Sequence, residues 1–267
     1  MTDGERSPVI AVENPGGSGP FVILCDHASN RIPQQFDSSG FDPAFLDTHI
    51  AWDPGALGVA LHLSEALDAP LIWPDASRLL IDCNRPLDAS SLIVVETERG
   101  TVQANRHLGR EERASRIGCI HAPYHDAIDA CLRQRAAAGL GTAIVAIHSF
   151  TPIFFGKARP WQIGVVFSAD RRLADLLIRD LQSDPALHVG INEPYSPADQ
   201  VYYTVERHAR PKHLPAAMIE LRNDEISDEA GQRSWADRLA KILLAAERSL
   251  AVRQSRCQCN RSAHPRN

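Results

Sequence analysis

Short continuous runs of apolar residues alternate along the chain with longer segments in which apolar residues recur at helical spacing. Apolar runs of about 4–8 residues bounded by turn residues are typical of strands buried on both faces of a sheet. The runs predict strands at Phe21–Cys25, Leu71–Trp73, Leu79–Cys83, Leu92–Glu96, Ala143–Ile147, Ile163–Phe167, Leu187–Ile191 and Ala217–Leu221. The helical spacing predicts helices at Ala56–Leu67, Ala122–Ala138, Arg171–Gln182 and Ser234–Val252.

Strands that alternate with helices of this length indicate crossover units, in which each helix returns the chain to a parallel neighbour. We therefore predict an α/β fold of three layers, with a mostly parallel or mixed central sheet and helices on both of its faces. The active-site crevice of such an open sheet lies at the carboxyl ends of the strands. The residues that follow the buried strands are thus the first candidates for function.

The length of 267 residues fits one large domain, which we place at residues 20–252. Residues 1–19 are rich in Gly, Pro and Ser, which predicts a flexible leader. Residues 253–267 are polar and basic, which predicts a disordered tail that carries Cys257 and Cys259. Six cysteines in the whole chain are too few for a disulfide scaffold.

The net charge of −5 argues against nucleic acid as a partner, because phosphate binding needs clustered positive charge. It is compatible with a small acidic substrate, which needs one or two local arginines. No apolar stretch approaches the ~18–20 residues that span a bilayer, and the polar N-terminus lacks the apolar core of a signal peptide. We expect a cytoplasmic protein that binds neither nucleic acid nor membrane, and the sequence sets no oligomeric state.

Several predicted strands end on a group that can bind a metal ion or transfer a proton. His27 follows one strand in CDHASN, His148 ends another in AIHSF, and Glu220 lies in IELRND. Two histidines with a separate carboxylate are the minimum set of a mononuclear zinc hydrolase. The histidines hold the metal, and the carboxylate takes the proton of the activated water. These residues predict such a site at the carboxyl edge of the sheet.

The third metal ligand has more than one candidate. Asp53, in HIAWDPGA, is the first candidate. Asn30, three residues after His27, is another, and Asp26 ranks after both. Zinc sites often carry a carboxylate in the slot that Asn30 fills, whereas a neutral amide oxygen suits harder ions. Asp53 also precedes Pro54 and a predicted helix, so capping of that helix is an alternative role for it.

Glu220 lies within an apolar strand, where an ionised carboxylate costs several kcal/mol unless it has a partner. One candidate partner is the water of the metal site, which would make Glu220 the general base. The other is Arg222, which would make Glu220 a structural residue.

The segment Ser77–Pro86, SRLLIDCNRP, carries polar groups out of another apolar run. Asn84 and Arg85 offer a planar fork that suits a substrate carboxylate. The structural alternative is that Asp82 pairs with Arg78 or with Arg85.

In chain order these segments resemble the zinc carboxypeptidase superfamily and, more closely, the N-formylglutamate amidohydrolase family. Members of that family carry the patterns HAS…IP, DxGA, SRxxxDxNRP, NxPYS and ExRND. Each pattern occurs in this chain, at His27–Pro33, Asp53–Ala56, Ser77–Pro86, Asn192–Ser196 and Glu220–Asp224. The resemblance covers about residues 20–250.

The resemblance implies a zinc carboxypeptidase-like fold and hydrolysis of a small acidic N-acyl amino acid, namely N-formyl-L-glutamate to formate and L-glutamate. It implies one Zn²⁺ ion held by His27 and His148 together with Asp53 or Asn30. Glu220 would be the general base, and an arginine, Arg85, would also stabilise the oxyanion. The candidate substrate-binding residues are Asn84, Arg85, Arg222, Arg78, Tyr202 and His208.

Asn30 stands where carboxypeptidases have glutamate, which argues against a peptidase. Two alternatives remain: a related metallo-deacylase or carboxypeptidase-like enzyme with another substrate, and a non-catalytic relative that binds a metal or a ligand. The presence of Glu220 with both His27 and His148 favours an enzyme.

Overall fold

A computed structural model describes residues 9–262 of the chain, and the side chains of residues 9–252. The strands are β1 (Ile10–Glu13), β2 (Phe21–Leu24), β3 (Leu71–Pro74), β4 (Glu96–Thr97), β5 (Gly100–Thr101), β6 (Ala143–Phe150), β7 (Ile153–Phe154), β8 (Lys157–Ala158), β9 (Ile163–Val166), β10 (Val189–Ile191) and β11 (Ala216–Arg222). Seven of them form one sheet in the order β1-β3-β2-β6-β11-β9-β10. Strands β3, β2, β6 and β11 are parallel, whereas β1 and β9 are antiparallel to their neighbours β3 and β11.

Helices cover both faces of this mixed sheet. They are α1 (Pro43–Leu46), α2 (Ala56–Leu67), α3 (Arg110–Arg116), α4 (Ala122–Ala137), α5 (Ala174–Leu181), α6 (Tyr203–Ala209) and α7 (Glu229–Ser262). Helices α2, α5 and α7 share one apolar core with the sheet, and α4 and α6 share a second core on the opposite face. This arrangement confirms the predicted three-layer α/β fold.

Alternation of side chains along the central strands explains why their apolar runs are continuous. In β6, Val145 and Ile147 enter the core under α2 and α7, whereas Ile144 and Ala146 enter the core under α4. Each fully buried side chain of this size contributes roughly 1.5–3 kcal/mol relative to an exposed one. His148 continues the series of Ile144 and Ala146, so the same alternation directs its side chain toward the face of the sheet that α4 covers.

Two predicted strands are wrong. Leu79–Cys83 forms turns, and Leu92–Glu96 is irregular until Glu96 begins β4. The apolar side chains of Leu79 and Leu92 are nevertheless buried in the core under α4. Periodicity detects burial, and a buried turn segment produces the same apolar run as a short strand.

The ends of the chain also differ from the prediction. Strand β1 lies within the expected flexible leader and pairs with β3, while residues 1–8 lie outside the described residues. Helix α7 continues to Ser262, past the predicted end at Val252, and residues 253–262 contain neither glycine nor proline to stop it. The rest of the expected tail lies outside the described residues.

Among residues 9–262, no helix combines the length and the apolar character that a membrane span requires.

Candidate active site

Three donor groups from distant parts of the chain converge at the carboxyl edge of the sheet. His27 follows β2, His148 belongs to β6, and Asp53 lies in the loop before α2. Asp53 Oδ2 is 2.9 Å from His148 Nδ1 and 3.3 Å from His27 Nδ1. One ligand atom from each of these buried residues lies within 4.8 Å of the other two, so the group could hold a metal ion.

A carboxylate stands behind each imidazole ring. Asp82 Oδ1 is 2.8 Å from His27 Nε2, and Asp26 Oδ2 is 2.9 Å from His148 Nε2. Each carboxylate accepts the Nε2–H hydrogen, so Nδ1 is the ring atom that faces the other donors and that would bind a metal ion after losing its hydrogen. Carboxylate–histidine pairs of this kind fix the tautomer and the orientation of metal-binding histidines.

Neighbouring cationic groups compensate the negative charge of the buried aspartates. Burial lowers the pKa of His148, but hydrogen bonds to Asp26 and Asp53 outweigh it and hold that pKa well above its usual value. Burial raises the pKa of Asp82, but Arg78 and His27 reverse the effect, so the pKa lies well below its usual range. Arg78 Nη2 donates to Asp82 Oδ2 at 2.7 Å. The aspartates therefore stay ionised and available.

Glu220 lies beside the three-donor group on β11. It is opposite His148 of β6 and opposite Gly164 of β9 in the strand register. The side chain is buried, and its Oε2 atom has no hydrogen-bond partner among the described residues. Burial raises the pKa of Glu220 from 4.5 to about 7, which is the range in which a carboxylate exchanges protons at neutral pH.

A pocket of about 540 Å³ of empty space, including its mouth, opens onto this group. Its walls carry the three metal-competent residues and Glu220, and also arginine, amide, hydroxyl and aromatic side chains. The lining residues outside the metal group are His49, Arg78, Asn84, Arg85, Ser149, Phe150, Thr151, Tyr195, Val201 and Glu220. The pocket therefore combines metal donors with two cationic side chains that suit an anionic substrate.

Asn84 and Arg85, the predicted substrate clamp, both line the pocket but differ in how they are engaged. The Asn84 side chain donates to Val201 O and accepts from Thr204 N at 2.9 Å, so both ends of its amide are occupied. Arg85 Nη1 donates to Gln200 O at 3.0 Å, and its Nη2 makes no hydrogen bond within the described residues. Asn84 thus holds the loop, and Arg85 is the member of the pair with capacity for a substrate.

The candidates for the third ligand lie in different places, and only Asp53 belongs to the described three-donor group. Asp53 does not cap α2, whose N-cap residue is Gly55; its carboxylate faces both histidines instead. Asn30 is not among the residues that line the pocket, and its amide donates to Leu46 O at 2.9 Å. Asp26 lies behind His148, on the side of the ring opposite to Asp53. Asp53 is therefore the candidate whose carboxylate completes a three-donor group with His27 and His148.

Three predicted substrate-binding residues lie outside the pocket lining. Arg222 does not pair with Glu220; its guanidinium binds Asp224 at 2.7 Å and Glu225 at 3.1 Å. Tyr202 packs in the core under α4. His208 is buried and faces His125 on α4, as described below. The contacts of these side chains are structural, and none of Arg222, Tyr202 and His208 lines the pocket. Arg78, by contrast, lines the pocket as predicted.

Several residues that support the site were not identified as such from the sequence. The sequence predicts Asp82 only as a structural partner of an arginine; it contacts Arg78 and also orients His27. Thr204 Oγ1 donates to Asp26 Oδ1 at 2.6 Å, and Tyr195 lines the pocket. The one local signal was that Asp26 and Tyr195 lie inside the short motifs around His27 and Pro194.

The family model described as N-formylglutamate amidohydrolase matches residues 19–227. The chain belongs to the N-formylglutamate amidohydrolase family. The matched range contains the three-donor group, the arginine-lined pocket and Glu220, and the family is one of hydrolases that act on amides. Of the curated proteins compared with the chain, none matches it.

Solved structures resemble the chain over nearly its whole length. A gene product of Agrobacterium tumefaciens is 38% identical, with a TM-score of 0.89 over 92% of this chain and 97% of that one. The N-formylglutamate amidohydrolase of Ralstonia eutropha is 20% identical, with a TM-score of 0.67 over 89% of this chain and 97% of that one. A metallo-carboxypeptidase of Burkholderia cenocepacia reaches a TM-score of 0.34 at 12% identity over 89% of this chain and 59% of that one, a likeness too remote to bear on function.

Proposed function

We propose that this protein is a zinc-dependent amidohydrolase that cleaves N-formyl-L-glutamate to formate and L-glutamate. The observation that carries the proposal is the convergence of His27, Asp53 and His148 beside Glu220, whose Oε2 atom has no hydrogen-bond partner in the described part of the chain. Membership of the N-formylglutamate amidohydrolase family supports the substrate class.

The donor set fits a zinc ion. Two imidazole nitrogens and one carboxylate oxygen are typical of catalytic zinc sites, which keep a further position open. Ligand atoms bound tetrahedrally at ~2.0–2.2 Å from zinc lie roughly 3.3–3.5 Å apart. The observed spacings of 2.9 Å and 3.3 Å from Asp53 Oδ2 to the two Nδ1 atoms need little adjustment. When bound, the ion would polarise the substrate carbonyl and lower the pKa of water.

Glu220 has the position and the proton affinity of a general base. Its carboxylate lies in the pocket wall beside the donor group, and its pKa of about 7 allows it to accept a proton from water and later release it. The same carboxyl group can return that proton to the leaving nitrogen, because burial keeps the protonated form accessible. No other described side chain of the pocket wall combines an unpartnered carboxylate oxygen with a raised pKa.

Arginine side chains account for recognition of an acidic substrate. Arg78 is held by Asp82 and lies 3.6 Å from Asp53 Oδ1, so it is fixed next to the metal group. Arg85 lines the same pocket, and its Nη2 atom makes no hydrogen bond within the described residues. A charge-assisted contact from Arg85 to a substrate carboxylate, with Arg78 close to the reacting carbonyl, fits a dicarboxylic N-acyl amino acid.

Purified protein with its metal content measured tests the proposal. Turnover of N-formyl-L-glutamate is compared with that of N-acetyl-L-glutamate, N-formyl-L-leucine and a dipeptide. We expect about one zinc ion per chain, loss of activity on chelation, recovery with zinc, and a preference for the N-formyl dicarboxylic substrate. Preference for an N-acetyl compound or a dipeptide would indicate a related deacylase or peptidase, and stoichiometric metal without any turnover would indicate a binding protein.

A further inference from the structure

Three buried histidines lie behind the pocket, between α4 and α6, and take no part in the metal group. His121 ends the π-helical turn that leads into α4, His125 lies in the first turns of α4, and His208 lies in α6. Their exposed fractions are 1%, 0% and 0%. Buried imidazoles need hydrogen-bond partners on both nitrogens or pay a desolvation penalty, so the partners of this His121–His125–His208 cluster indicate its role.

Two of these rings bind the main chain on either side of Asn84. His121 Nε2 is 2.9 Å from Arg85 O, and His125 Nε2 is 3.1 Å from Cys83 O. A carbonyl oxygen only accepts, so the Nε2 atom of each ring carries the hydrogen. The two donors therefore hold the carbonyl groups that flank Asn84 and set the orientation of the Asn84–Arg85 segment.

His208 is the second hydrogen-bond partner of His125, and the tautomer of His125 determines which of the two rings donates. Burial lowers the pKa of His125 to about 2, so this ring is neutral and carries one hydrogen. That hydrogen is on Nε2, which makes Nδ1 an acceptor, and the atom 2.9 Å away is His208 Nε2. His208 Nε2 must consequently donate. Its Nδ1 faces Asp129 Oδ1 at 3.2 Å, so both ring nitrogens of His208 lie next to acceptors, and only the imidazolium form donates to both. The two rings meet edge to edge, with centroids 5.1 Å apart and planes inclined by 26°, and the hydrogens run in one sense from α6 through α4 to Cys83 O.

Thr204 does not replace His125 at Cys83 O. Thr204 Oγ1 lies 3.3 Å from Cys83 O but 2.6 Å from Asp26 Oδ1, and a hydroxyl has a single hydrogen to donate. The ionised carboxylate is the stronger and closer acceptor. His125 is therefore the donor on which the Cys83 carbonyl depends among the described residues.

We propose that the His121–His125–His208 cluster positions the Asn84–Arg85 segment. The cluster thereby holds the Arg85 guanidinium at the place in the pocket wall where it contacts the substrate. This inference rests on the proposed function for the part that assigns Arg85 to substrate binding. His121 and His125 suit the role because each ring reaches a carbonyl from its helix and, as burial lowers both pKa values, adds no charge next to Arg85.

Kinetics of paired variants test the positioning role. His125→Leu removes the donor to Cys83 O, whereas His125→Gln retains an amide N–H at about the same reach. Arg135→Gln is the matched control, because Arg135 is a buried donor on the same helix that binds Gly17 O at 2.8 Å, far from the pocket. Arg85 contacts the ground state and the transition state alike, so we expect KM for N-formyl-L-glutamate to rise about 3–10-fold in His125→Leu, with kcat within about twofold.

We expect His125→Gln to restore most of the KM value and Arg135→Gln to leave it unchanged. Equal KM changes in His125→Leu and His125→Gln, or the same change in Arg135→Gln, would overturn the positioning role.

Two further measurements do not depend on activity. Nitrogen-15 NMR of labelled histidine should show the Nε2–H tautomer for both His121 and His125; the opposite tautomer at either ring overturns the assignment. Hydrogen exchange of the amides of residues 82–85 and 87 should accelerate about 3–10-fold in His125→Leu and not in Arg135→Gln. If the wild-type protein does not hydrolyse N-formyl-L-glutamate, the proposed function fails, and exchange and tautomer results still decide whether the cluster positions this segment.

Discussion

Glu220 and His148 are paired in register on two adjacent parallel strands, β11 and β6. Side chains alternate between the faces of a strand, and both residues continue series that enter the core under α4, so both point to that side. The pairing places a carboxylate with one unpartnered oxygen next to a histidine of the three-donor group. The proposed base and a proposed metal ligand thereby lie on adjacent strands at the centre of the sheet.

The first prediction concerns Glu220 as the base. Glu220→Gln should keep the fold and the bound zinc, because glutamine fills the same volume and Glu220 is not a ligand. The value of kcat should fall by about 10²–10⁴-fold, the usual contribution of a positioned general base, with little change in KM. Steady-state kinetics and zinc stoichiometry on the purified variant measure both quantities.

Glu225→Gln serves as the control, because Glu225 follows the same strand but binds Arg222 at 3.1 Å. A zinc-loaded Glu220→Gln protein with near wild-type turnover would remove Glu220 from the mechanism.

The second prediction concerns the stability of the metal-free protein. The pKa of Glu220 is about 7 in the folded state and 4.5 when unperturbed, so the unfolded state releases this proton first as the pH rises. Between those values the free energy of unfolding falls with increasing pH, and the full effect is present above about pH 7. Glu220→Gln should therefore be more stable than wild type by up to roughly 3 kcal/mol at about pH 8, and equal to it at about pH 4.

Urea unfolding of both proteins in the presence of a chelator measures this difference. A difference that is the same at both pH values would mean that Glu220 titrates normally in the fold.

The third prediction concerns the carboxylates behind the histidines. Asp26→Asn keeps an acceptor near His148 Nε2 but removes the charge that orients and polarises the ring. Zinc affinity should weaken by about 10–100-fold, the usual effect of losing such a partner, and chelator competition measures it. Asp75→Asn is the control, because Asp75 pairs with Arg31 at 2.8 Å on the surface. An unchanged zinc affinity in Asp26→Asn would show that Asp26 has no part in holding the metal.

The fourth prediction concerns Arg85. Arg85→Ala should raise KM for N-formyl-L-glutamate roughly 10–100-fold, because a charge-assisted contact worth about 1.5–3 kcal/mol is lost. An uncharged N-formyl amino-acid amide should be affected far less. Arg171→Ala, which removes a surface ion pair with Asp175, is the control. Equal losses on the charged and the uncharged substrate would show that Arg85 does not recognise the carboxylate.

The fifth prediction concerns Gly164, the neighbour of Glu220 on β9. A Cβ atom at Gly164 would lie 2.0 Å from Glu193 O, a main-chain atom that cannot move without its loop. Gly164→Ala should destabilise the fold by about 1–3 kcal/mol and displace Tyr195 from the pocket wall, which lowers kcat/KM in the molecules that still fold. Gly109→Ala is the control, because a Cβ there meets nothing within 4 Å. Equal melting temperatures for the two variants would contradict the prediction.

The sequence alone was sufficient for the layers of the fold, and it predicts candidate site residues that the structure brings together at one edge of the sheet. Continuous apolar runs mark strands buried on both faces, and the carboxyl end of such a strand is where an open sheet forms its crevice. His27, His148 and Glu220 follow directly from that rule, because each lies at the end of a run. The same logic failed at Leu79–Cys83, since a buried turn and a buried strand share one apolar pattern.

The identity of the third donor was decided by the tertiary structure. Asn30 and Asp53 were both open candidates, and the fold turns Asn30 to Leu46 O while it brings Asp53 between His27 and His148. The direction of each side chain depends on how segments far apart in sequence pack, and local patterns carry no information on that packing.

The supporting contacts were also beyond the reach of the sequence. Asp26 behind His148, and His125 between His208 and the Cys83 carbonyl, are pairings across different secondary-structure elements. The position of a residue at the end of a strand follows from the hydrophobic pattern of its own segment, and the sequence contains that pattern. A hydrogen bond between buried groups depends on the relative placement of two elements to within a few tenths of an ångström, and packing of the whole core sets that placement.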